Sequence, residues 1–509
     1  MLKPDDRLFF IHIPKTAGTT LIPLIDMHFH AREICPAQLW REIVKLPQES
    51  LPAYRLFRGH FGGEGLDTFL PKPPLTMTML RQPLPLALST YKFILREPGT
   101  RVHQLVRDNN MSFAEFIEHP ETRSKVSNKQ VRHLSFSLEH DPDSGPIFDA
   151  RESLAAIDQW VKEHRAPIPA KLKYERAIEQ LMKCACFGLV ERFDESMALL
   201  SYTFGWPAAG AIQKLRVAPK RDEDELDSAV QDRLAQLNQH DLALYDHAEK
   251  IFNERVAAMH QDLDRYRAHN EEAVSVDVAE LLDRRARMLR RESQGDTHAD
   301  AIRVHFDMDQ PLFGRGWHRR EASSLDGTTF CWSGPDREST LDIAAPVRDG
   351  AARDLLLTVK IINWLDDAII DSLAIFAQGV PMSLDIISQE RSVRIYQACI
   401  AHAVLDPDER FLQLRFVVAD TTSPFERDGV NADTRKVGIA LNWVDLTGAD
   451  ALERGQVPPA ILDAQQPQHT TLQARQRNAR RKQLKDSVTR IPVIGKGLRN
   501  LYGWMKPNP

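Results

Sequence analysis

The sequence predicts two architectures in one chain: an α/β domain on a largely parallel, P-loop-like sheet, then an antiparallel β-sandwich. From the start to about residue 255, short apolar runs alternate with stretches of helical period, the pattern of strands covered by helices. From about 301 to 450 the texture changes to strand-like runs divided by turn clusters, such as "STLDIAA", "DLLLTVKII" and "RFLQLRFVVAD". The intervening 256–300 is rich in charge and reads as a solvated linking helix. Residues 451–509 form a basic tail, with ten Lys and Arg and one acidic residue, Asp486, in the last 40 positions.

In the first domain "RLFFIHI" reads as a buried strand. "GTTLIPLIDMHF" reads as a helix with Leu21, Leu24, Ile25 and His28 or Phe29 on one face. Pro23 is expected in that helix's first turn, where its missing N–H is tolerated. "AYRLFRG", "LTMTMLR" and "KCACFGLV" are further strands, and "PLALSTYKFIL" and "DESMALLSYTFGW" further helices. Ser112 followed by Glu115 forms a capping box.

At 509 residues the chain is expected to hold two or three domains. A hydrophobic content of 42% and a charged content of 27% are those of a globular protein. The net charge of −5 argues against nucleic acid as a partner. The five cysteines contain no C-x-x-C pair and read as buried free thiols of a reducing compartment. The N-terminal stretch lacks the apolar core of a secretory signal, and no apolar run reaches the length of a membrane span. The expected location is cytoplasmic.

The chemistry concentrates at the first strand–helix turn, "IPKTAGTT". A helix N-terminus presents unpaired N–H groups and partial positive charge, so it suits an anion. Gly18, with Ala17, Thr19 and Thr20, leaves room for phosphate oxygens, while Lys15 adds a mobile charge and Thr16 a hydroxyl. A Walker loop would carry its lysine after the glycines, whereas here the lysine comes first, which disfavours magnesium-dependent phosphoryl transfer. The strand "LTMTMLR" ends in Arg81 rather than an acid, and Ser89 lies two turns into the following helix. An Arg and a Ser suit a second phosphate. Two such sites fit a nucleotide phosphorylated at both 5′ and 3′ positions. His60, following a strand end in "RGHFGG", is the candidate general base, with Glu64 in reserve.

"FIHIPKTAGTT", "FRGHFGG", "MLRQPLPLALSTYKF", "NKQVRHLSF" and "FGLVERFDESMALL" occur in the order seen in carbohydrate sulfotransferases of the type 2 family. Residues 7–255 thereby resemble the heparan sulfate 2-O-sulfotransferases and their bacterial relatives. The resemblance implies 3′-phosphoadenosine-5′-phosphosulfate (PAPS) as donor, a carbohydrate hydroxyl as acceptor, and no metal. It implies that Lys15, Thr16, Ala17, Gly18, Thr19 and Thr20 hold the 5′-phosphosulfate and that Arg81 and Ser89 hold the 3′-phosphate. His60 is implied as the general base, and Lys15 as the catalytic cation at the bridging oxygen. One departure stands out: the heparan enzymes have His-Gly-His where this chain has Arg58-Gly59-His60.

Other residues carry two readings. His12 reads as a core histidine. Asn128, Gln130 and Arg132 either line an acceptor cleft or brace a helix. Glu191 to Ser196 read as a strand-to-helix connection, and "DPDSGP" at 141–146 as a surface turn rather than a calcium loop. Trp317, Trp332 and Trp364 either stack on sugars or fill the sandwich core. The sandwich loosely resembles modules appended to bacterial polysaccharide-synthesis enzymes. The tail mixes basic and apolar residues, which suits peripheral contact with an anionic membrane or a solvated tail. A catalytically inactive glycan-binding scaffold is the alternative for the whole chain.

Overall fold

The computed structural model describes residues 1–43, 45–62, 66, 70–100, 102–135, 169–208, 210, 227–269, 276–293, 303–323, 326–345, 354–405, 411–449 and 455–456. Glu64, the 141–146 turn and the basic residues of the tail lie outside this set.

The first domain is α/β. Its sheet contains β1 (Leu8–Ile11), β2 (Leu56–Gly59), β3 (Leu75–Leu80) and β4 (Cys186–Leu189), all parallel, in the order β2-β1-β3-β4. All four residues of β1 are buried, as are those of β2 and β4, so the sheet is covered on both faces. Phe9, Phe10, Phe57 and Phe187 are 1% exposed or less, and each contributes roughly 1.5–3 kcal/mol by burial. The chain leaves β1 toward β2 and then crosses back to β3. The switch point therefore lies between β1 and β3, where open α/β sheets form a crevice at their carboxyl ends.

Seven helices matter to the site: α1 (Gly18–Asp26), α2 (Pro83–Arg96), α3 (Lys129–Leu134), α4 (Ala170–Lys183), α5 (Phe193–Phe204), α6 (Gln239–Ala268) and α7 (Val278–Ser293). Helix α1 buries Gly18, Leu21 and Ile25, a stripe at helical spacing, while Leu24 is only partly buried. Pro23 is the sixth residue of α1, in its second turn, so the Thr19 carbonyl loses its intrahelical donor. The capping box is present: Ser112 Oγ accepts from the Glu115 N–H, and the Glu115 carboxylate from the Ser112 N–H. Ser196 ties β4 to α5 by accepting from the Leu189 N–H at 2.8 Å.

The expected solvated linker behaves differently. Helix α6 runs 30 residues without a break across position 255. In α7, Leu281 and Leu282 are 0% and 3% exposed and belong to the same apolar core as β1. Val278 and Ala279 pack against that core as well and Ala286 is 2% exposed, so a short apolar stripe docks a helix rich in charge. Among the described residues no helix is long and apolar enough to cross a membrane.

The second half forms separate antiparallel sheets from β5 (Arg303–Asp307), β6 (Glu321–Ala322), β7 (Thr329–Trp332), β8 (Glu338–Ala344), β9 (Leu355–Trp364), β10 (Ala374–Ala377), β11 (Val380–Pro381), β12 (Asp385–Glu390), β13 (Val393–Ile400), β14 (Phe411–Val417) and β15 (Ile439–Gly448). One sheet runs β11-β10-β14-β8 and the other β12-β13-β9-β15-β7-β6, with β5 also on β15. Leu341, Ile375 and Leu414 from the first and Leu357, Tyr396 and Val444 from the second share one apolar cluster, so the sheets pack face to face. Trp332 is buried at 7% exposure. The indole N–H groups of Trp317 and Trp364 donate to the Thr340 carbonyl and to Asp367 Oδ1, each at 2.7 Å.

The sandwich docks at the C-terminal end of α1. The Leu312 N–H donates to the Met27 carbonyl at 2.8 Å, the Ala31 N–H to the Asp309 carbonyl at 2.7 Å, and Arg320 Nη2 to the Phe29 carbonyl at 3.3 Å. On α7, Arg287 pairs with Asp342 at 2.8 Å. Arg58 in β2 meets the same end of α1 from the other side, with Nη2 2.9 Å from Asp26 Oδ2 and Nε on Oδ1. Its side chain is thus committed to bracing.

Removing one partner of a largely buried pair strands the other charge. Arg58→Ala is expected to destabilise by about 3 kcal/mol in chemical denaturation. The double variant Arg58→Met/Asp26→Leu should recover most of that loss.

Candidate functional site

Lys15, His60 and Arg81 leave the carboxyl ends of β1, β2 and β3, three adjacent strands, and therefore gather at one edge of the sheet. Lys15 and Ala17 adopt positive φ values of 77° and 61°, which an L-residue tolerates only when its surroundings impose it. The tight turn buries Thr16 completely and aims its hydroxyl at the Ile13 carbonyl, 2.8 Å away. Thr16 was expected to offer its proton to a ligand, but that proton serves to brace the turn.

Gly18 has a neighbour within its own chain. The space in front of it holds the His12 imidazole, and a Cβ at Gly18 would overlap that ring. What approaches this backbone so closely is a histidine of the same chain. Ala17 caps α1 without a side-chain bond, so the first N–H groups of the helix keep their partial positive charge at the turn. Thr19 is exposed and Thr20 partly exposed at the same place.

The Lys15 ammonium lies 4.4 Å from the centroid of the Phe93 ring, a cation–π contact of roughly 0.5–2 kcal/mol. Phe93 and Ser89 are four residues apart on α2, on one helical stripe. The lysine of the first strand–helix unit therefore leans toward the serine of the second. Ser89 is partly buried, and its hydroxyl has no hydrogen-bond partner among the described residues. Arg81 Nη1 donates to the Lys15 carbonyl at 3.1 Å, and Arg81 Nε is buried without a partner among the described residues. Burial lowers the Arg81 guanidinium from its ordinary pKa, with Glu191 opposing the shift.

Arg81 is held by its backbone. The Gln130 side chain accepts from the Arg81 N–H at 2.9 Å and donates to the Arg81 carbonyl at 2.8 Å. Helices α3 and α6 in turn cap each other. Asn128 Oδ1 accepts from the N–H groups of His240 and Asp241 at 3.1 and 3.0 Å, while Asp241 accepts from those of Gln130 and Val131 at 2.9 and 2.8 Å. Asn128 and Gln130 are thus braces rather than lining.

His60 is oriented from both sides. Its N–H donates to the Gln38 carbonyl at 2.8 Å, and its Nδ1 sits 2.7 Å from the His12 carbonyl. A carbonyl only accepts, so Nδ1 carries the proton and Nε2 keeps its lone pair. Burial lowers the His60 pKa, partly opposed by the bond to His12, so the ring is neutral at neutral pH. The His12 ring lies 4.4 Å from that of His60, and burial, with His60 as the next contributor, pushes it down to about 3.

Two residues escaped the sequence reading. Lys129 is 6% exposed, and its ammonium donates to Thr90 Oγ1 on α2 at 3.0 Å. His133 turns Nδ1 toward the Lys129 carbonyl at 2.7 Å. "NKQVRH" placed both beside a motif already noted, but a helix of six residues is too short for its period to reveal burial. The site combines the cations Lys15 and Arg81 and the buried amine of Lys129 with an exposed helix N-terminus and a neutral, oriented imidazole. Chemically it can hold a multiply charged anion and accept a proton from a hydroxyl. No protein-family model matches the chain, and no curated protein shows significant similarity to it.

If His12 is what Gly18 accommodates, Gly18→Ala should destabilise by about 1–3 kcal/mol through overpacking. Adding His12→Ala should return part of that stability, as read by thermal unfolding of the single and double variants.

Proposed function

We propose that the chain is a PAPS-dependent O-sulfotransferase that moves a sulfuryl group to a carbohydrate hydroxyl, in the manner of the type 2 carbohydrate sulfotransferases. The observation that carries this reading is the meeting of Lys15 and Arg81, joined by the Arg81 Nη1 bond to the Lys15 carbonyl, beside the free Nε2 face of His60.

The residues fit a bisphosphorylated nucleotide. Arg81 offers a buried, unpartnered Nε and Ser89 a hydroxyl without a partner among the described residues, which suits the 3′-phosphate. The N–H groups at the start of α1, with Thr19 and Thr20, suit the 5′ end. When bound, PAPS supplies an activated sulfuryl group with a bisphosphate leaving group. Lys15, whose ammonium lies over the Phe93 ring, would bring its charge to the leaving oxygen. Preorganised donors of this kind typically contribute about 3 kcal/mol each. His60 Nε2 takes the proton of the acceptor hydroxyl, while the bond from Nδ1 to His12 fixes the ring and supports the positive charge it gains. Charge neutralisation falls to these side chains, and the reading includes no metal. The sandwich docks at the end of α1 remote from Gly18, so it serves as an accessory domain rather than a wall of the pocket. The reading places the enzyme in the cytoplasm, with the basic tail as a peripheral membrane contact.

The test is transfer of radioactive sulfate from PAPS to a panel of unsulfated polysaccharides and glycolipids. His60→Ala is expected to lower turnover by roughly 10²–10⁴ without removing nucleotide binding. Because the lowered His60 must be neutral to act, the wild-type rate at saturating donor should be flat above pH 7 and fall only below the ordinary histidine range. Glycan binding without sulfate transfer would instead support an inactive scaffold.

A further inference from the structure

Lys129 is unusual before any ligand is considered. Lysine is rarely buried to this extent without a carboxylate partner. Among the described residues its ammonium makes one hydrogen bond, to the neutral hydroxyl of Thr90. That hydroxyl already donates to the Leu86 carbonyl at 2.8 Å, so it can only accept from Lys129. The nearby acid, Asp241 on α6, spends its oxygens on the N–H groups of Gln130 and Val131 at the start of α3.

Every other charged or titratable group that acts on Lys129 is basic. Lys15 stands in the loop after β1, Arg81 at the end of β3, and Arg132 on α3 itself. In turn Lys129 opposes protonation of His60 after β2, of His12, and of His133 on α3. A buried amine surrounded by positive charge is held toward its neutral form, and burial followed by these neighbours pushes Lys129 down to about 7.

An arriving anion reverses that balance. We propose that Lys129 is the proton-carrying member of this pocket: binding of a phosphorylated anion protonates it, and it then joins Lys15 and Arg81 in holding the ligand's charge. The nucleotide identity of that anion rests on the function proposed above, but the protonation does not. The device lets the empty pocket avoid a third buried charge and supplies that charge when a ligand can compensate it.

The measurement is calorimetric titration of the full chain in buffers of different ionisation enthalpy, which counts protons taken up per ligand. The probes are adenosine 3′,5′-bisphosphate and inorganic pyrophosphate. At pH 8 the wild type should take up about one proton per bisphosphate, and at pH 6, where Lys129 is already charged, much less. Phosphate groups of the nucleotide are fully ionised at pH 8 and contribute nothing to the count. Lys129→Met should bind roughly tenfold or more weakly with no uptake, and Lys129→Arg should bind without uptake because its charge is permanent. Both variants are checked for cooperative unfolding, and methionine suits the buried site.

Uptake that persists in Lys129→Met, or its absence from the wild type at pH 8 despite binding, overturns the assignment and leaves the nucleotide reading standing. Uptake with pyrophosphate but no binding of the nucleotide upholds Lys129 and overturns that reading. Failure of a folded wild type to bind either probe overturns both.

Discussion

The site depends on how Gln130 holds Arg81. Arginine at the end of a strand would ordinarily swing through many rotamers over open solvent, at a cost of roughly 2 kcal/mol to immobilise. Here the amide of Gln130 grips both the N–H and the carbonyl of Arg81, which fixes the backbone from which the guanidinium departs. The guanidinium then reaches the Lys15 carbonyl and so sets the position of the first loop as well. Gln130 is itself fixed because α3 and α6 cap one another through Asn128 and Asp241. The cap, the clamp and the cation form one chain of hydrogen bonds, and an error in any of them would reach the pocket.

Electrostatics then decides what the pocket can do. Several cations sit close together with their nearby acids already engaged: Asp241 in a helix cap, Glu191 with the Gln82 N–H and the Tyr245 hydroxyl. Repulsion among the cations is a standing cost that an anionic ligand would relieve, which favours binding over empty-state stability. Burial, with these cations adding to it, keeps the histidines neutral. In the proposed function, cations that favour an anion and an unprotonated imidazole beside them would meet the two requirements of group transfer from an anionic donor to a hydroxyl. The sandwich meets this domain at the other end of α1, so the docking contacts and the anion site proposed at its N-terminus are separated by its length.

Much of the framework was legible in the sequence because it depends on local signals. Four consecutive apolar residues mark β1, the capping box marks the Phe113–Glu118 helix, and Arg81 follows directly from the end of β3. The texture change near 301 announced the antiparallel sheets. What escaped depends on contacts distant in sequence. Asn128 meets Asp241 across 113 positions, and no local pattern distinguishes such a brace from a cleft residue. Charge content makes 256–300 read as solvated, although a short apolar stripe of Val278, Leu281 and Leu282 packs one side of α7 on the core. Gly18 was assigned to a ligand because small residues at a strand–helix turn commonly serve one. The structure adds that the His12 ring, six residues earlier, fills the space a Cβ would take at Gly18, in a turn where Lys15 and Ala17 have positive φ.

The central claim is that one pocket holds two phosphate-bearing positions, and the most direct test compares ligands that differ by one phosphate. Equilibrium titration of adenosine 3′,5′-bisphosphate and of 5′-AMP into wild type and Arg81→Ala would supply it. The account predicts roughly micromolar binding of the bisphosphate to wild type, far weaker binding of AMP, and loss of that difference in Arg81→Ala. Equal affinities for the two nucleotides in a folded wild type, or a preference that survives Arg81→Ala, would contradict it.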